Sequence, residues 1–304
     1  MNKKTYLIEK AEKGLTIQQY LKQIAGFSNA QIRSMKFTEN GICLGGQRAR
    51  VTTRLSEGDV LEVLLETKNS SSAHLLSFEQ MPDILYEDAD VIAVNKPAGM
   101  AVHPSHGHYQ DTLANQLAYY FRKNTQQVEI HSIGRLDLET SGIVLFAKHR
   151  AAAARLSRQR EDGRLQKTYL AICSGIFAEK NGTLNGAIAP LPGSLMKMCV
   201  SKDGKPAVTH YQVQKQYMEA ALVRLTLETG RTHQIRVHMA DAGHPLIGDR
   251  LYFADTDQKA DVDAENCFTG IKRAALHASR ICFYQPFEGK RITVEAPFPE
   301  DMKK

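Results

Sequence analysis

His131 to His149 reads HSIGRLDLETSGIVLFAKH, and its second half decides the fold. Ile143 to Ala147 is a short apolar run rich in Ile, Val and Phe, which predicts a buried strand. Leu138 to Ser141 do not extend that strand backwards, and Gly142 stands at the junction. Asp137 therefore falls on a loop entering a rigid strand, a place where a scaffold holds a reactive carboxylate in position. A plainer reading is also available: an Asx-type turn in which Thr140 and Ser141 are ordinary turn residues. The rest of the chain decides between the two.

At 304 residues and 42% hydrophobic content the chain can fill one sizeable core and a small satellite. Its formal charge of +6 and pI near 9.0 are mild support for a polyanionic partner. Cys43, Cys173, Cys199, Cys267 and Cys282 are scattered without paired spacing, which points to reduced thiols rather than a disulfide frame or zinc site. No run approaches the roughly 20 apolar residues of a membrane span. The N-terminus lacks the apolar centre of a secretory signal. A cytoplasmic protein with no membrane partner is expected.

Residues 1–66 read as a small α/β module. Ile17, Tyr20, Leu21 and Ile24 have helical spacing up to Gly26, and Ser28 is placed to cap a second helix. Short strands follow around Gly45-Gly46 and after Gly58-Asp59. Residues 67–82 read as a linker, with a small, polar stretch from Asn69 to Ala73. Residues 83–304 form the main region. It opens with a hairpin around Glu87 to Asp90, followed by a helix capped by Asp111 and a helix over 150–164. Val223, Leu225 and Leu227 alternate with polar residues as in a half-buried strand. Strands and helices do not alternate regularly, so the fold class is α+β with a largely antiparallel mixed sheet.

Four segments in order give this chain a family resemblance. They are Asn95 to Met100 with Val102-His103-Pro104; Arg135-Leu136-Asp137 with Thr140-Ser141-Gly142; Lys167 to Ala171; and Thr229 to His238 with His244-Pro245 and Gly248-Asp249. Together they resemble the motifs of the RluA/RluD-type pseudouridine synthases over about residues 83 to 300. One position departs: many members carry His before the Arg-Leu-Asp, where this chain has Gly134. The first 66 residues resemble the alpha-L RNA-binding module, with Arg33, Lys36, Arg48, Arg50 and Arg54 as its basic candidates.

The resemblance implies a pseudouridine synthase fold with a catalytic cleft, and uridine-to-pseudouridine isomerisation. That reaction breaks an N-glycosidic bond and rejoins the base through carbon 5, so it needs no cofactor and no metal. Asp137 is implied as the catalytic carboxylate, and the residues leave open whether it attacks the ribose, adds to carbon 6 of uracil or abstracts a proton from the sugar. Arg231 is expected in the turn before a helix capped by Thr232, there pairing with Asp137 across the cleft. Tyr169 is expected to stack on uracil or take the carbon 5 proton. Arg135 is implied as the residue that fills the gap left by the flipped base; its bland alternative is a local pair with Glu139. Thr140, Lys167 and His233 join it as substrate-binding candidates. The five-residue spacing of His233 and His238 is not that of a chelating pair, and His103, His106 and His108 lack a Cys or carboxylate cluster beside them. The expected partner is RNA, rRNA before tRNA, and a monomer is expected. A non-catalytic RNA-binding factor is the first alternative. A hydrolase using Asp137 and Glu139 is the other, disfavoured because two residues so close need not converge and no Trp supplies a sugar platform.

Overall fold

The computed structural model describes residues 3–65, 75–105, 107–253, 268 and 270–303. His106, Cys267 and the polar stretch from Asn69 to Ala73 lie outside the described residues. The first unit contains β1 (Lys3–Leu7), α1 (Ile17–Gln23), α2 (Asn29–Phe37), β2 (Ile42–Leu44), β3 (Gln47–Arg48) and β4 (Val60–Leu64). Both helices begin with capping boxes, Thr16 with Gln19 and Ser28 with Gln31, so each satisfies its first free N–H groups locally. The four strands pair antiparallel in the order β1-β4-β2-β3 around a core that includes Ile17, Leu21, Ile32, Leu61 and Val63.

The main region contains β5 (Asp83–Glu87), β6 (Val91–Lys96), α3 (Leu113–Lys123), β7 (His131–Ser132), β8 (Ser141–Ala147), α4 (Arg150–Glu161) and β9 (Gln166–Ser174). It continues with β10 (Asn181–Asn185), β11 (Ile188–Pro190), β12 (Met198–Val200), β13 (Val208–Gln216), β14 (Ala220–Leu227), α5 (Gln234–Asp241), β15 (Leu276–Tyr284) and β16 (Arg291–Glu295). One sheet runs β10-β13-β14-β9-β15-β8-β6-β5, with β7 also on β8 and β16 also on β15. Every pairing within it is antiparallel except β8 with β15. The α+β, mostly antiparallel expectation is met.

The apolar run of β8 is unbroken because both of its faces are covered. Val144 and Phe146 pack toward Leu113, Leu117 and Phe121 of α3, while Ile143, Leu145 and Ala147 pack toward Ala152 and Leu156 of α4. α5 places Ile235 and Met239 in the same cluster as α3. That sheet face thus carries a helix on each half, with β8 and β15 meeting between them.

Several local expectations need correction. Thr112, not Asp111, caps α3, accepting from Asn115 N; Asp111 Oδ2 lies 2.7 Å from His108 Nδ1 instead. Strand β8 already includes Ser141 and Gly142, because both pair with β15. Helix α4 stops at Glu161, where Arg164 turns back to bond Asp162. The described end of the linker is tied down: Leu76 O accepts from Asn115 Nδ2 at 2.7 Å, and Gln80 Oε1 accepts from Gln116 Nε2 at 2.9 Å.

Candidate active site

Asp137 sits on the loop entering β8, and three backbone features hold that loop. Thr140 N–H donates to Asp137 O, and Gly99 N–H donates to Leu138 O. Lys96, with no exposed surface, donates through Nζ to Pro97 O, Met100 O and Leu138 O at 2.9, 2.7 and 3.1 Å. Burial, reinforced by Arg273, pulls the Lys96 pKa down to about 7, with Asp137 opposing. All three ammonium donors are thereby spent on carbonyls of the first motif and the Asp137 loop. On the β15 side, Ala274 N–H donates to Glu139 Oε2, and Arg273 donates to Glu139 O and Ser141 Oγ. Glu139 is thus held by Arg273 and Ala274, just ahead of β15, rather than by Arg135.

The Asp137 side chain stays about a quarter exposed, with relative exposure of 23%. Arg236 Nη1 lies 3.8 Å from its Oδ2 and His233 Nε2 lies 4.0 Å away. The arginine facing the carboxylate is Arg236, which corrects the expected pairing with Arg231. Arg231 Nε donates instead to Pro206 O at 3.0 Å. The reason is local: Gln234 Oε1 accepts from Arg231 N–H and Thr229 Oγ1, closing the turn, and His233 adopts a left-handed conformation with φ 55°. The helix therefore begins at Gln234, and Thr232 makes no cap; its Oγ1 accepts from Arg135 Nη2 at 3.3 Å. Arg236 is the third residue of α5, and its side chain reaches toward Asp137.

Arg236 is fixed from behind. Asp249, fully buried, receives Nε and Nη2 at 2.6 and 2.7 Å. Burial acts against the Arg236 charge, but this two-point pairing outweighs it and holds the pKa above its ordinary value. Tyr252 lines the same pocket: Arg236 Cζ lies 5.1 Å from its ring centre, and its Oη lies 2.9 Å from His233 Nδ1 and accepts from Met198 N–H. A hydroxyl donating to Nδ1 leaves the imidazole proton on Nε2, the atom nearest Asp137. Burial lowers the His233 pKa, with Asp137 partly opposing. His238 is spent on packing, its two ring nitrogens 2.9 Å from Thr209 Oγ1 and 2.8 Å from Gly186 O.

Tyr169 lies on β9 opposite Ala278 of β15 and Leu225 of β14, 8% exposed in the cleft-side core with Leu136. Burial, then the charge of Asp137, push its phenol well above the usual value. Thr140 is buried in the loop and Lys167 is half-buried two residues before Tyr169. Arg33, Lys36, Arg48 and Arg50 are exposed on the first unit, remote in sequence from this cleft. A separate cavity of about 350 Å³, lined by Lys96, Ser141, Arg273, His277 and Asp301 among others, does not include Asp137, Tyr169 or Arg236. Among the described residues no group of three or more His, Cys, Asp or Glu is placed to hold a metal ion. No described helix is long and apolar enough to cross a membrane.

The sequence profile described as RNA pseudouridylate synthase matches residues 90–241, half of the chain, including Asp137, Tyr169, His233 and Arg236. The chain belongs to that family. It is similar to an uncharacterized RNA pseudouridine synthase, YhcT, of Bacillus subtilis strain 168, at 39% identity over 82% of this chain and 78% of that one. The ribosomal large subunit pseudouridine synthase D of Haemophilus influenzae is 36% identical over 80% of this chain and 75% of its own. Among solved structures, human RNA pseudouridylate synthase domain containing 1 aligns with a TM-score of 0.57 and 27% identity, covering 78% of this chain and 89% of that one. The synthase is of the RluA/RluD type, an enzyme that isomerises uridine in RNA. Sequence reasoning missed Arg236, Asp249 and Tyr252 as partners around Asp137. Arg236 and Asp249 stand in the last motif, and their pairing becomes visible only once α5 and the Gly248 turn are in place.

Proposed function

We propose that this synthase modifies uridines of large-subunit ribosomal RNA, with Asp137 as the catalytic carboxylate. The observation that carries the chemical part is the accessible Asp137 carboxylate, faced by Arg236 at 3.8 Å and His233 at 4.0 Å on a loop locked by Lys96. In a water-depleted complex, the Arg236 guanidinium, itself clamped by Asp249, steadies the negative charge of Asp137 as the N1–C1′ bond breaks. The carboxylate then captures the sugar or adds to the base, and is released when C5 bonds to C1′. The C5 proton leaves and N1 gains one, so the step is a net isomerisation.

Tyr169 serves as a stacking platform for the uracil through the face of its ring. After C5 bonds to C1′, the C5 proton leaves through the Tyr169 oxygen, which gives up its own proton as it takes this one. Arg135 fills the gap left by the flipped uridine. Arg33, Lys36, Arg48 and Arg50, exposed on the module of residues 1–66, add RNA contacts, and Arg231, Thr140, Lys167 and His233 line the substrate path. The ribosomal target rests on the relatives named for the large subunit. The enzyme works as a cytoplasmic monomer in this reading.

Pseudouridine mapping of rRNA and tRNA from cells lacking this chain tests the target. Loss of one or a few large-subunit sites with tRNA unchanged is expected; loss confined to tRNA would overturn the ribosomal assignment.

A further inference from the structure

Two cations face the turn before Arg135: Arg160, to which the chemistry above gives no part, and Lys167, placed above on the substrate path with no ligand group assigned to it. Gly134 has φ +83°, and a Cβ built on it would lie 3.4 Å from Arg160 Nη1 and 4.0 Å from Lys167 Nζ. Arg160 comes from the last turn of α4 and Lys167 from the start of β9, so two separate elements deliver positive charge to one point. Neither forms an ion pair among the described residues. An acid is near in sequence, but Asp162 is taken by Arg164, which bonds it through Nε and Nη2 at 2.9 and 2.6 Å. A cation in the last turn of a helix is favoured by the helix dipole. That explains why Arg160 is tolerated there, but not why it turns toward a second cation.

Two like charges held together without a counter-ion cost free energy that a bound anion would recover. Consistent with this, burial and then Arg160 draw the Lys167 pKa down to about 8. The shape is also suited: a planar guanidinium gives two parallel N–H donors, an ammonium gives a point charge, and glycine leaves the space before them free of a side chain.

We propose that Arg160 and Lys167 form a binding site for one phosphodiester group of the RNA strand, immediately flanking the uridine that enters the cleft. The placement follows from the chain. Gly134 directly precedes Arg135, and Lys167 is two residues from Tyr169 on one strand, hence on the same face. The phosphate held there fixes the backbone on one side of the flipped nucleotide. The inference rests on the proposed action on RNA and adds a phosphate site to it.

The test uses the full chain with in vitro transcribed large-subunit rRNA, and measures affinity against KCl concentration together with KM and kcat for pseudouridine formation. Arg160→Gln is expected to flatten the slope of log affinity against log salt by about 0.7 to 0.9, the share of one neutralised phosphate. KM should rise several-fold while kcat changes little. Arg160→Lys keeps the charge and should keep the slope. Lys215→Gln, an equal charge change on exposed β13, should leave the slope at the wild-type value. Because Arg160 is exposed, its variants should fold, and thermal melts check this. An Arg160→Gln slope equal to wild type would overturn the site, as would an Arg160→Lys slope as flat as that of Gln. Failure of the functional reading looks different: the wild-type chain itself would form no pseudouridine on any transcript.

Discussion

Arg236 shows how one side chain is made to serve a site it does not define. Its guanidinium is shared between Asp249, which is buried and bonded at two points, and Asp137, which is partly exposed and farther away. Arg236→Gln leaves the Asp249 carboxylate buried without its partner, and breaking such a pair costs about 3 to 5 kcal/mol. Denaturant unfolding checks this; a loss under about 1 kcal/mol would mean that Asp249 finds another donor. His277 gives a second residue-scale expectation. Its Nδ1 lies 2.9 Å from Ser141 Oγ, its Nε2 is buried without a hydrogen-bond partner among the described residues, and burial, then Arg273, push its pKa down to about 4. Between pH 6.5 and 4 the unfolded chain binds a proton at this position that the folded chain refuses. The stability contributed is therefore present above pH 6.5 and is lost as pH falls toward 4, by up to about 3 kcal/mol. Unfolding midpoints of wild type and His277→Gln across that range check it: the variant should show a shallower decline, and parallel declines would contradict it. Neither pairing was legible from spacing. Arg231 and Arg236 stand five residues apart in one motif, and only the left-handed turn at His233 decides which reaches Asp137.

At the scale of elements, β8 was the most readable part of the chain because it is covered on both faces, which leaves an apolar run, although its start at Ser141 was hidden. Its partner β15 was not legible. Leu276 to Tyr284 mixes His, Ser and Arg with apolar residues, since this strand meets β8 and β9 with one end and β9 and β16 with the other. The parallel pairing of β8 and β15 is two residue pairs long, His277 with Ser141 and Ala278 with Gly142. It is close because position 142 has no side chain: a Cβ there would sit 2.3 Å from Ala278 O and 2.6 Å from Ala278 N, with φ at +107°. Gly142→Ala must part the two strands, and backbone strain with poorer packing should destabilise by more than about 2 kcal/mol. The same shift moves the Asp137 loop, so pseudouridine formation should fall with stability. A Gly142→Ala chain with wild-type melting and activity would show that the sheet junction does not set the loop.

Across the whole molecule, the first unit is bound to the catalytic body through specific side chains. Arg155 of α4 lies 5.1 Å from the Phe27 ring centre and 4.0 Å from that of Phe287, and Ala151 is buried in the first unit's core. Lys4 Nζ reaches Asp90 at 3.3 Å. Burial would raise the Asp90 pKa, but bonds to His149 and Gln285 outweigh it and hold the group below the usual carboxylate range. The cluster around Ile17, Tyr20, Leu21 and Ile32 follows from helical spacing and caps, but its seat on α4 was not legible, because Phe27, Arg155 and Phe287 are far apart in sequence. Removing residues 1–66 uncovers this seat and should lower the melting temperature. It should also flatten the salt dependence of RNA binding by about 0.7 to 0.9 for each phosphate that the truncated chain no longer neutralises. An unchanged slope would mean that Arg33, Lys36, Arg48 and Arg50 do not touch RNA.

The most direct test of the account is Asp137→Asn, because the amide keeps the shape of the side chain and removes the carboxylate. The wild-type and variant chains are incubated with large-subunit rRNA transcript, and the digested nucleosides are separated. Pseudouridine is expected from the wild type and none from the variant, with melting temperature and RNA affinity close to wild type. Pseudouridine from the variant at more than a few per cent of the wild-type amount would contradict the assignment of Asp137.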